Sequence, residues 1–174
     1  MANIPYADLS DPSVQPLVER ITAERGGVLH LYQMLLHAPP VAEGWLTYLT
    51  AIRQKSTLPG ALRELVIMRV AILNGAPYEA DQHAPIALRE GMTQAQLDAL
   101  PSWQDSQLFD DTERAVLAYT DAMTRNIRVD APVFDAIRQR FSERHIIELT
   151  ATVGAYNMVS RFLEALQVHS HDVR

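Results

Sequence analysis

Three titratable side chains in one short stretch, ELVIMRVAILNGAPYEADQH (residues 64–83), have the types and spacing needed for proton chemistry. Glu79 and His83 stand four apart, so on a helix both project from one face, about a turn from each other. Glu64 lies upstream among Leu65, Val66, Ile67 and Met68. A carboxyl in such apolar company is costly unless something uses or satisfies it, and desolvation should raise its pKa. An imidazole titrates near neutrality, so a protonated Glu64 with His83 and Glu79 would supply both an acid and a base. Tyr78 and Arg69 flank the group and are read as contacts to substrate charge or as structural support. A surface Glu79–His83 salt bridge, or a Glu64 paired structurally with Arg63 or Arg69, explains the same spacings without chemistry.

Other chemistries fit less well. Metal binding by Glu79-x-x-x-His83, with Asp81 nearby, lacks the third or fourth ligand that metal sites need, so no metal is expected. His169 and His171 lie near the terminus and read as solvated, while His30, His37 and His145 each read as a locally satisfied histidine, His145 through Glu148. With no cysteine in 174 residues, disulfides, thiolate nucleophiles and iron–sulfur clusters are excluded. The sequence has no G-x-S-x-G elbow, no G-x-x-x-x-G-K phosphate loop and no G-x-G-x-x-G motif.

The elements that must position these groups are helical. Gly75 suits a left-handed C-terminal cap and Pro77 the first turn of the next helix, which bounds a buried helix over 61–74 and a second over 77–89, kinked by Pro85. Apolar periodicity predicts further helices over 13–25, 28–36, 41–55, 93–100, 112–124, 129–140 and 142–167. The proline pair Pro39-Pro40 is read as ending a helix, Thr93 and Asp110 or Asp111 as N-caps, and 101–109 as the longest loop, packed down by Trp103 and Phe109. Gly154 suggests close approach of another helix, and the last helix is the expected partner of the 61–74 helix. The segments ALRELVIMRVAILNG and SERHIIELTATVGAYN echo each other faintly, each ending near an asparagine. The class is all-α: an N-terminal arm over 1–12, then a single-domain bundle of about eight or nine helices over 13–174.

A net charge of -6 with a single lysine, Lys55, argues against nucleic acid. No run approaches the roughly 20 apolar residues of a membrane span, and the N-terminus lacks a secretory pattern, so no membrane association and a cytoplasmic location are expected.

The chain resembles the carboxymuconolactone decarboxylase/alkylhydroperoxidase D-like superfamily. The resemblance rests on Glu64, LVIMRVAILNG, Tyr78-Glu79-x-x-x-His83, the AlaLeuArgGluGly turn with Thr93 beyond it, and IELTATVGAYNMVSRF, all within a core over 58–166. It implies a small all-helical homo-oligomer, a trimer or hexamer, with its site near a subunit interface. The peroxidase branch carries C-x-x-C-x-x-x-H and a relay glutamate. Its cysteines fall here on Ala76 and Glu79, its glutamate on Glu64 and its histidine on His83, so thiol peroxidase activity is not implied. The decarboxylase branch has a Glu and a His in this segment. It implies a cofactor-free lyase decarboxylating or isomerising a small carboxylate or lactone from aromatic-compound degradation. The implied catalytic residues are Glu79, His83 and Glu64, and the implied substrate contacts are Tyr78 and Arg69. The alternative is a non-catalytic small-ligand binding or assembly protein of the same fold that has lost the peroxidase cysteines.

Overall fold

The computed structural model describes residues 1–173 as helices and connecting turns, with no strand among them. In chain order the helices are α1 (Gln15–Arg25), α2 (His30–Leu35), α3 (Pro39–Thr50), α4 (Gly60–Asn74), α5 (Pro77–Arg89), α6 (Gln94–Ala99), α7 (Asp111–Asn126), α8 (Ala131–Arg138) and α9 (Glu143–Leu166). The fold is all-α, as the periodicity predicts. Two compact units form, one from Met1–Lys55 with the segment from Leu163 onward, the other from Ser56–Phe162.

In the first unit, Ile21, Tyr32, Leu36, Leu46 and Val168 make the core. The Arg25 guanidinium lies 5.6 Å from the Tyr32 ring centroid and donates to Thr50 Oγ1 at 2.7 Å. The N-terminal arm lies on this unit: Asn3 N–H donates to the Leu166 carbonyl at 2.8 Å, Tyr6 O–H to Asp172 Oδ2 at 2.7 Å, and Gln33 Nε2 to the Ala7 carbonyl at 2.9 Å. The proline pair opens α3 where it was expected to close the preceding helix, because proline at a first-turn position gives up only an N–H that has no helical partner anyway. A π-helical turn, Ala51–Lys55, follows α3.

The second unit is built around α4. Leu65, Val66, Ile67, Val70 and Ala71 are each at most 1% exposed, so this helix is buried on nearly every face. Gly75 ends it at φ +62, a left-handed position that favours glycine, and Pro77 opens α5. Helices α5 and α7 are the principal neighbours of α4. The expected partner, α9, reaches it through a hydrogen bond from Asn74 Nδ2 to Asn157 Oδ1 at 3.1 Å, which joins the asparagines of the two echoing segments. Gly154 does not mark a close approach within the chain: it is exposed, and a Cβ there would meet open space.

Local caps set the remaining boundaries. Thr93 and Asp110 each form a capping box, with Gln96 and Glu113 respectively. The stretch expected as the longest loop holds a 3-10 segment, Leu100–Asp105. Trp103 and Phe109 are buried in it, and Arg114 clamps it by donating to the Trp103, Gln104 and Ser106 carbonyls.

The loop leading into α4 is held from α9. Glu148 Oε2 accepts from Ser56 Oγ, Thr57 N, Thr57 Oγ1 and Leu58 N at 2.9–3.0 Å, while Oε1 accepts from Arg144 Nε at 3.0 Å. Glu148 therefore serves this loop, and the expected His145 partnership is replaced by Arg144.

Candidate active site

Helix α4 presents Glu64 to α5. Glu64 is 1% exposed and His83 6%, and Glu64 Oε2 lies 2.7 Å from His83 Nδ1. The second carboxylate oxygen, Oε1, accepts from Arg63 Nε at 3.2 Å, and Arg63 Nη2 continues to Glu90 Oε1 at 3.3 Å. Burial pushes the Glu64 carboxyl up, but the hydrogen bond and charge of His83, joined by Arg63, outweigh it and leave the carboxyl below its ordinary range. The expectation of a raised Glu64 is thus reversed, because two cationic partners stand where apolar neighbours alone were counted. An ionised carboxylate can only accept, so the shared proton sits on His83 Nδ1, and Nε2 is the nitrogen whose protonation can change. The His83 ring meets Tyr156 of α9 edge-on, with centroids 5.0 Å apart.

Glu79 does share a face of α5 with His83, yet its carboxylate is directed to α9. Its Oε2 lies 2.7 Å from Ser160 Oγ, and the residue is 2% exposed. Two cross-helix pairs, Glu64–His83 and Glu79–Ser160, join α5 to α4 and α9. A surface salt bridge between Glu79 and His83 is ruled out by their burial. Tyr78 is buried at 3% exposure beside them in sequence. Tyr156 and Ser160 were not singled out from the sequence. Their signal is that they stand four apart in the AYNMVSRF segment, on one face of the helix expected to partner the 61–74 helix.

Arg69 makes structural contacts. Its Nε and Nη2 donate to the two oxygens of Asp121 at 2.6 and 2.8 Å, and Nη1 donates to the Leu100 and Pro101 carbonyls at 2.8 and 3.3 Å. With all three nitrogens engaged and 1% exposure, it holds the 3-10 segment. Among the described residues, no cluster of three or more His, Asp or Glu could hold a metal ion. His169 and His171 stack on each other with centroids 5.6 Å apart.

Residues 39–122 match the model of the carboxymuconolactone decarboxylase family. Over this segment, 84 of its 174 residues, the chain is similar to that family. The matched residues take in Glu64, Tyr78, Glu79 and His83, whereas Tyr156 and Ser160 lie beyond them. An uncharacterized Escherichia coli K12 protein, YnjA, is 34% identical over 131 residues, 72% of this chain and 66% of the relative, so the chain spans about two thirds of that protein's length. An uncharacterized Bacillus subtilis protein, YdfG, is 24% identical over 115 residues, 65% of this chain and 78% of the relative. Among solved structures, an uncharacterized peroxidase-related protein from Ralstonia eutropha with an alkylhydroperoxidase AhpD core superposes with a TM-score of 0.83 at 16% identity, covering 98% of this chain and 93% of that one. A cysteine-to-alanine variant of the debrominase Bmp8, in complex with 2,3,4-tribromopyrrole, superposes with a TM-score of 0.80 at 22% identity, covering 95% and 89%. These two solved structures share the helical fold of this chain.

Proposed function

We propose that this protein is a member of the carboxymuconolactone decarboxylase-like superfamily and a proton-transfer enzyme needing no thiol, with His83 as the group that takes up and returns the proton. The observation that carries the reading is the buried 2.7 Å contact between His83 Nδ1 and an ionised Glu64, which fixes the tautomer and makes Nε2 the reactive atom. The family supports a small carboxylate or lactone as substrate, decarboxylated or isomerised without a cofactor. In decarboxylation the carbon–carbon bond to the carboxylate breaks, the electron pair passes into an adjacent carbonyl as an enolate, and a protonated group delivers a proton to carbon. In isomerisation Nε2 removes the proton beside the carbonyl and returns it at the conjugated carbon. Glu79, one turn before His83, is the second acid/base group. Tyr78 would line the substrate side.

The test is turnover of a panel of small carboxylated lactones, followed by CO2 release and by ultraviolet absorbance of the enolisable product. His83→Gln should lower kcat by about 10²–10⁴-fold while the circular dichroism spectrum is unchanged. Equal turnover by wild type and His83→Gln would refute the proposal. Absence of turnover by wild type across the panel would favour the alternative, a non-catalytic binding protein, which the deep burial of Glu64, Glu79 and His83 equally accommodates.

A further inference from the structure

The contact between Arg63 and Glu64 is not one that a helix supplies by itself. Successive residues of a helix project about 100° apart, so neighbours in sequence do not face each other. To donate to Glu64 Oε1 at 3.2 Å, the Arg63 guanidinium has to bend round the surface of α4, and something must hold it there. Glu90, the C-cap of α5, does so: its Oε1 accepts from Arg63 Nη2 at 3.3 Å. The two carboxylates take different nitrogens of one planar fork, so each contact fixes the direction of the other.

Glu90 can stand there because of Gly60. This glycine is the first residue of α4, and a Cβ on it would overlap Glu90 Oε2, whereas at every other glycine a Cβ would meet nothing within 4 Å. Gly60 is not at positive φ, so the position uses the missing side chain and not backbone freedom. The seat also suits an anion, since the first turn of α4 carries the positive end of the helix dipole.

For the site, the consequence falls on Glu64. The torsion that orients a carboxylate is soft and roughly two-fold, so a single bond to His83 would leave its plane free to turn. With Arg63 on Oε1, Oε2 stays directed at His83 Nδ1, at 2.7 Å. Arg63 and Glu64 are buried and the Glu90 side chain is 40% exposed, so the chain Glu90–Arg63–Glu64–His83 runs from solvent into the site. Water screens the charge of Glu90; what it passes inward is the position of Arg63.

We infer that Arg63, aimed by Glu90 in the space left by Gly60, is a positioning residue of this site, fixing the carboxylate oxygen that orients His83. The reaction it serves rests on the acid/base reading above; the geometry it holds does not.

NMR spectroscopy on protein carrying ¹⁵N-labelled histidine tests the geometry with no substrate present. The His83 ring signals are identified by their loss in His83→Gln, and exchange of the Nδ1–H with water reports how firmly Glu64 holds it. Wild type should show a protected Nδ1–H. Glu90→Ala and Gly60→Ala should each speed its exchange by about three- to tenfold, while Glu90→Gln, which keeps an accepting oxygen, should stay near wild type. Once Glu90 is replaced by Ala, Gly60→Ala should add nothing, because the oxygen it would displace is gone. Gly60→Ala should leave the urea midpoint nearly unchanged, since the better helix former offsets the lost ion pair, which separates loss of aim from loss of fold. On an accepted substrate, kcat should fall by the same factor in Glu90→Ala with KM unchanged. An unprotected Nδ1–H in wild type overturns the inference, as does exchange in Glu90→Ala equal to wild type, or an effect of Gly60→Ala that persists in the Glu90→Ala background. Protein that shows the expected exchange pattern but turns over no substrate counts against the enzymatic reading alone.

Discussion

Replacing Glu148 by Gln tests how the second unit holds the start of α4, the helix that carries Glu64. One carboxylate oxygen collects four donors from Ser56, Thr57 and Leu58, and the other collects Arg144. Burial pushes this carboxyl up, but Arg144 and the Thr57 and Ser56 donors outweigh it and bring it from 4.5 down to about 2. That displacement corresponds at most to about 3 kcal/mol of stability. Solvent screening reduces it, since Glu148 is 16% exposed and Arg144 65%, and about 2 kcal/mol is expected. An amide cannot recover this: with its oxygen toward the loop its NH2 opposes Arg144, and flipped it opposes the four donors. Because the folded carboxyl is the stronger acid, its contribution is complete above the unfolded value near 4.5 and is lost as pH falls toward 2. Urea titrations should therefore show Glu148→Gln unfolding about 1 M earlier than wild type at pH 7, with the gap closing as wild type is titrated from pH 5 to pH 2.5. Two midpoints that coincide at pH 7, or a gap that persists undiminished at low pH, would refute the reasoning.

Two further substitutions follow from the same unit. Arg69→Met leaves Asp121 buried without its bidentate partner and should cost about 3–5 kcal/mol in chemical denaturation; loss below about 1 kcal/mol would contradict the assigned role. Ile127, 87% exposed, sits at φ +64 in a tight three-residue turn closed by Arg128 N–H on the Asn126 carbonyl, so Ile127→Gly should raise stability by about 1 kcal/mol, read as an increase in Tm.

The helices, and much of their punctuation, were legible in the chain because they depend on neighbours in sequence. Helix α5 runs over Pro77–Arg89 as read, since Gly75 and Pro77 act through their own backbone, and Thr93 caps α6 through contacts three residues away. Periodicity was silent where long-range contacts impose order. The 3-10 segment at Leu100–Asp105 is held by Arg69 from α4 and Arg114 from α7, which no local pattern records.

The candidate site divides in the same way. Residue types and helical spacing identified Glu64, Glu79 and His83, because the 3.6-residue repeat decides which side chains share a face of a helix. Which partner each one meets was decided by tertiary structure. His83 pairs with Glu64 across 19 residues and Glu79 with Ser160 across 81, because the approach of α4 and α9 to α5 brings those oxygens within reach. Even the direction of the Glu64 shift needed the fold. An apolar sequence neighbourhood raises a carboxyl, and only the placement of His83 and Arg63 against its two oxygens turns that into an ionised group.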